Sequence, residues 1–227
     1  MKKLDAALIK KIVNDWHELF PEFGVYEPMW LLRRIGPLVQ GICLDRRSDN
    51  AGYVPTTHIH NLVRSRDFIS LTLDQTLRTK RTGAEDEVRA QLHEDQYIEA
   101  ASRLALQSLL PLHDVFTYEQ FMDACWKHTQ MKYATRYPYL LFEDMLLVSS
   151  YVGLNTPQLE AMMHQFEQIM SSWPEFILTK IGGIRPWVER MNGLLANPSS
   201  LRKTVEAETI NLKIQKLSFY KLRRTNE

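Results

Sequence analysis

Apolar residues recur along the first part of the chain at helical spacing. Leu4, Leu8, Ile12, Trp16 and Leu19 stand three or four positions apart and predict an amphipathic helix over about residues 4–20, stopped near Pro21 and Gly24. The pattern then changes. Between 29 and 45, Gly36, Pro37 and Gly41 argue against a helix, and the β-formers around them predict one bent strand or two short ones. A turn cluster at 46–52 follows, then a strand over Tyr53–Val63 in which Pro55 implies an edge or a bulge. Phe68, Ile69, Leu71 and Leu73 predict a third strand. Connections this short do not accommodate helical crossovers, so residues 29–74 read as a small antiparallel meander.

From Thr82 onward the period is helical. One long helix is predicted from Ala84 to Leu110, ended by Pro111. A second runs over Thr117–Thr129, with Thr117 as N-cap and Gln120 at the capping-box position. A strongly apolar third occupies Pro138–Val152, with Gly153 as its stop. Thr156 with Pro157 opens a fourth, to about Trp173, and Arg185–Leu195 forms a shorter one. Asn197-Pro198 starts a last helix to about residue 207, and the alternation of Ile210, Leu212 and Ile214 predicts a strand returning to the meander. The fold class is α+β: one domain over 1–227, a small antiparallel sheet with a larger helical part.

Composition adds little until it is divided. Hydrophobic residues at 44% and charged residues at 24% exclude disordered, collagenous and low-complexity classes. The formal net charge of +1 supplies no whole-chain attraction to nucleic acid or membrane. Residues 84–175, however, hold fourteen acidic and five basic side chains, while 33–81 carry a net +5 and 176–227 a net +6. The acidic middle is neutralised by the basic segments within the fold, presented to a basic partner, or gathered at an acidic metal site. Asp5 and Lys10-Lys11 interrupt the apolar start, which reads better as an amphipathic helix than as a signal peptide, and no apolar run is long enough to span a bilayer. Cys43 and Cys125 make no metal-like pair and read as small core residues, so a cytoplasmic location is expected.

Two constellations bear on chemistry. His58 and His60 point to the same face of a strand, the arrangement by which two imidazoles reach one metal. In the 84–110 helix, Asp95 and Glu99 fall on the stripe formed by Val88, Leu92, Leu106 and Leu110. Acids there are expected to pair with arginines such as Arg33, Arg34 or Arg46, to lie past the core edge in water, or to join the histidines at a metal. Other templates fail: Ser149 lies in no nucleophile elbow, Gly182-Gly183 is no phosphate loop, and Cys125 with His128 on one helix face reads as core packing. The pairs Phe219-Tyr220 and Tyr137/Tyr139 are expected to pack the core.

The run Gly52-Tyr53-Val54-Pro55-Thr56-Thr57-His58-Ile59-His60-Asn61-Leu62, the glycine-bearing strand before it and Ile69-Ser70-Leu71-Thr72-Leu73 after it, with the acidic helical middle, resemble bacterial immunity proteins of contact-dependent-inhibition and other polymorphic-toxin systems. The resemblance implies a cytoplasmic, cofactor-free binding protein that neutralises a cognate basic toxin, such as a nuclease. It implies neither a catalytic residue nor direct contact with nucleic acid or membrane. The acidic surface that would meet the toxin is assigned to Glu85, Asp86, Glu87, Glu94, Asp95 and Glu99. The alternative is a metal-dependent hydrolase using His58 and His60 with Asp95 or Glu99.

Overall fold

The computed structural model describes residues 3–131 and 138–225, and among them the α+β class holds. Tyr137, one of the aromatics noted above, lies outside the described residues. Helix α1 (Ala6–Leu19) begins where the Asp5 carboxylate accepts the Leu8 amide at 2.8 Å, and it buries Leu8, Ile12, Val13 and Trp16. The meander is β1 (Gly24–Glu27), β2 (Trp30–Ile35), β3 (Leu38–Arg46), β4 (Gly52–Asn61) and β5 (Thr72–Thr76), antiparallel and in sequence order. Residues 29–45 thus form two strands, not one bent strand. Gly36-Pro37 is the two-residue hairpin between them, with Gly36 at φ +56° supplying the left-handed position that the tight turn requires.

Several elements sit differently from their sequence signals. Pro55 is neither on an edge strand nor at a bulge: β4 is central, and Pro55 falls between its two partners on one side, β5 from Thr56 and β6 (Val88–Arg89) to Tyr53. No ladder donor is needed there, so the missing N–H costs nothing. The third strand is Thr72–Thr76, later than the apolar run, while Phe68 and Leu71 are exposed. Between its pairings Thr57↔Gln75 and Ile59↔Thr72, two residues oppose one, and Leu73 at φ +51° takes up this bulge.

The long helix is the largest correction. Residues 84–92 are not part of it: β6 joins the sheet through Val88↔Tyr53, a 3-10 turn spans Ala90–Leu92, and α2 runs only from His93 to Gln107. Helices α3 (Tyr118–Thr129) and α4 (Pro138–Tyr151) stand as read, α3 with its Thr117–Gln120 capping box. Helix α5 (Thr156–Met170) is capped by Asn155, not Thr156, because the Asn155 carboxamide accepts the Gln158 amide. Then follow α6 (Glu175–Ile181), which has no counterpart in the sequence reading, α7 (Ile184–Leu195) and α8 (Pro198–Asn211). Ile210 therefore ends a helix. The return to the sheet comes later, as β7 (Phe219–Tyr220), parallel to β2.

Two cores share this sheet. Leu31, Ile42 and Tyr53 pack beneath Ile12 and Trp16 of α1 and Ala100, Ala101 and Leu104 of α2. The larger core joins Leu32, Ile35, Val39 and Ile59 to Phe121, Phe142, Met145, Phe166 and Trp187 of the later helices. Each such side chain removed from water is worth about 1.5–3 kcal/mol. Helix α4 is buried from Leu141 to Ser150, including Glu143 and Asp144. Glu143 is satisfied by Trp187 Nε1 at 2.9 Å, Arg190 at 2.8 Å and Arg64, which ties α4 to α7 and to the end of β4.

Candidate functional site

His58 and His60 do share a face of β4, but that face is interior: they are 1% and 0% exposed. The His58 ring lies edge-on to Trp30 at 5.2 Å and passes over Gly41 on β3, where a Cβ would overlap it. Neither of its ring nitrogens has a hydrogen-bond partner among the described residues. His60 Nδ1 accepts the Ser70 amide at 3.0 Å, which places the proton of the neutral ring on Nε2. Burial lowers the pKa of His58 to about 3, helped by His60, and that of His60 to about 4, helped by Arg66 and Arg64. Neither Asp95 nor Glu99 reaches them. Among the described residues no group of three or more His, Cys, Asp or Glu side chains is arranged to hold a metal ion. The donor set for the hydrolase reading is thus two interior imidazoles without a third ligand, which does not fit a metal.

A second constellation has the order of a nucleophile, base and orienting acid. Tyr53 Oη is 2.8 Å from His93 Nδ1, and His93 Nε2 is 2.8 Å from Asp15. Tyr53 is fully buried, its hydroxyl already accepts the Trp16 indole N–H at 2.9 Å, and burial raises its pKa. No substrate can approach it, so the chain Trp16–Tyr53–His93–Asp15 fastens α1, β4 and α2 together. Cys125 is equally closed: burial raises its thiol well above the ordinary value, and the neighbouring His128 is turned to the Asp74 carbonyl at 3.1 Å.

The six acids assigned to a partner surface divide into two groups. Glu85 and Glu87 share one arginine, Arg47, at 2.9 and 3.6 Å, and Asp86 pairs with Arg103, so two cations offset part of the charge of three carboxylates. Glu94, Asp95 and Glu99 lie on α2 and are exposed. Glu94 has Lys11 at 3.7 Å and Glu99 has Arg103 at 3.7 Å, both long contacts on side chains 73% and 77% exposed. Such pairs contribute little and leave the charge open to solvent. Arg33 does not pair with them. Its guanidinium is buried against Gln40 and the Pro111 and Asp114 carbonyls, over the Phe23 ring, and burial lowers its pKa to about 10.

The apolar stripe assumed for the long helix is also displaced. The buried face of α2 is His93, Ala100, Ala101 and Leu104, and Leu106 is 83% exposed. Ile98, which the sequence reading passed over, is 55% exposed. At 100° per residue, Asp95, Ile98, Glu99, Ser102 and Leu106 fall within an arc of about 100°. The outer side of α2 is therefore a mixed patch of acids and large aliphatic side chains. The signal for it was present in the sequence: two acids cannot sit on a buried stripe without partners, so the stripe carrying them had to face outward. Compared with known protein families, with curated proteins and with solved structures, the chain matches none.

Proposed function

We propose that the chain is a binding protein that docks a basic protein partner on the outer face of α2. One observation carries this reading: Ile98 and Leu106, both largely exposed, share an arc with Asp95 and Glu99. Exposed acids steer a basic surface into encounter, and aliphatic side chains beside them hold it once water is expelled. Joined to the resemblance of residues 41–73 to immunity proteins, the partner is a cognate bacterial toxin whose basic surface would be covered in the complex. Glu85, Asp86 and Glu87 are left out of this surface because they precede α2 and each pairs with Arg47 or Arg103.

The partner to test is a variable C-terminal domain of a large secreted protein, sought in the reading frame upstream of this chain's own. Asp95→Asn with Glu99→Gln slows association by about 3–10-fold at low salt and flattens its salt dependence, with dissociation little changed. Ile98→Ser with Leu106→Ser speeds dissociation by about tenfold or more. Unaltered kinetics in both double variants would exclude α2 as the interface.

A further inference from the structure

Away from α2, the chain's return to the sheet builds a cleft of about 810 Å³ between α8, the end of α4 and the β2–β7 edge. Four cations line it, Arg34, Arg202, Lys221 and Arg224, together with the aromatic rings of Tyr151 and Phe219. Among the described residues, Glu206 is the single carboxylate in the lining. We propose that this cleft binds a small organic phosphate bearing a planar ring, the chemistry of a nucleoside diphosphate.

Two arginines make the case. Arg34 projects from β2 at the position paired with Phe219 of β7, and its guanidinium carbon lies 5.0 Å from the Phe219 ring centre. Arg202 on α8 stands 6.0 Å from the Tyr151 ring centre. Neither has a carboxylate partner among the described residues, and the Nε of Arg34 is buried with no acceptor. An Nε–H of a guanidinium withdrawn from water without an acceptor is costly, and the planar fork of the group matches phosphate oxygens. The Phe219 ring lies within cation–π range of the Arg34 guanidinium, and Tyr151 stands at the outer limit of that range from the exposed Arg202, which leaves their N–H groups for a ligand. Arg224 also lines the cleft and has Glu119 at 3.8 Å, too far to satisfy it fully. Arg34 and Arg202, neither with a carboxylate partner among the described residues, suit a ligand with more than one anionic group, and the 57% exposed Phe219 offers a ring surface for a planar base.

The same features favour a small molecule over a nucleic-acid strand. The cleft has the size of small-molecule sites, about 300–1,000 Å³. Glu119 borders the site at Arg224 and interrupts a basic track there. Nothing in this proposal depends on the partner surface at α2.

The experiment is calorimetric titration of the full chain with ADP, GDP, CDP and UDP, with pyrophosphate, adenosine and a twelve-nucleotide single strand as separate arms, in low-salt buffer. At least one nucleoside diphosphate is expected to bind at micromolar concentration, pyrophosphate about tenfold more weakly, and adenosine more weakly still. Arg202→Gln, an exposed position on α8, should weaken the diphosphate by tenfold or more with the thermal midpoint unmoved; Arg34→Gln provides the second variant. The proposal is overturned if no diphosphate binds below millimolar concentration or if Arg202→Gln binds as tightly as the wild type. Tighter binding of the single strand than of any diphosphate would overturn it in favour of a nucleic-acid groove.

Discussion

Acidification from about pH 7 to about pH 5 should destabilise this protein through two imidazoles that no solvent reaches. In the fold, His58 and His60 titrate at about 3 and about 4, because burial disfavours their charged forms. In the unfolded chain both titrate near 6.5. A group whose folded pKa is depressed stabilises the fold above its unfolded value and loses that contribution as the pH falls. By about pH 5 the unfolded chain holds a proton on each ring and the fold on neither, so each costs about 2 kcal/mol. Asp144 opposes them: burial raises its carboxyl to about 6, so it gains a proton first in the fold and returns about 1 kcal/mol over the same range. His93, also lowered by burial, adds to the loss; Asp15, whose carboxyl is lowered, loses its contribution only in more acidic solution. The wild type should lose about 2–3 kcal/mol or more between the two pH values in urea unfolding. His60→Gln keeps an acceptor for the Ser70 amide and cannot titrate, so its loss should be smaller by about 2 kcal/mol. Equal pH dependence in wild type and variant would refute the argument, and so would a wild type more stable at the lower pH.

Two further substitutions probe the same interior. Gly41→Ala places a methyl group in the His58 ring and within 2.6 Å of Leu32 Cδ2; it should cost about 2–3 kcal/mol, a fall of about 5–10 °C in melting temperature, and His58→Ala in the same chain should recover part of it. A Gly41→Ala protein that melts with the wild type would show that the ring can move aside. Tyr53→Phe removes the one atom that serves both the Trp16 indole and His93, leaving two buried polar groups unpaired, and should cost about 2–4 kcal/mol in urea unfolding. A loss under about 0.5 kcal/mol would mean that the chain from Trp16 to Asp15 does not fasten α1 to the sheet.

The acidic middle of the chain illustrates how composition and surface diverge. A net excess of nine negative charges over 84–175 reads as one acidic face. In the fold it is distributed among three environments. Glu143 and Asp144 are buried in α4 with Arg64, Arg190 and Asn61; Glu85, Asp86 and Glu87 are paired with Arg47 and Arg103; the exposed remainder is divided between α2 and scattered positions such as Asp114, Asp123, Glu160 and Glu175. Among the described residues no helix is long and apolar enough to cross a membrane, and Cys43 and Cys125 are unbridged and buried.

What the sequence by itself determined is whatever rests on neighbours in the chain. The Thr117–Gln120 capping box, the start of α5 to within one residue, the apolar run of α4, the Gly36-Pro37 break and the four-residue rhythm of α1 are local, and each is formed by residues that contact one another within a turn or two. The tertiary structure alone decided where α2 begins, because Val88 is helical by its own neighbourhood and extended once Tyr53 offers it a strand to pair with. It also decided which side of α2 faces outward. The buried side carries histidine and alanines, too weakly apolar to outvote Leu106, and it is selected by the hydrogen bond between Tyr53 and His93 and by the fit of two small residues against the sheet. The basic cleft lay furthest out of reach. Arg34, Arg202 and Phe219 belong to three elements distant in the chain, and no local pattern records that a two-residue parallel strand will bring them around one cavity.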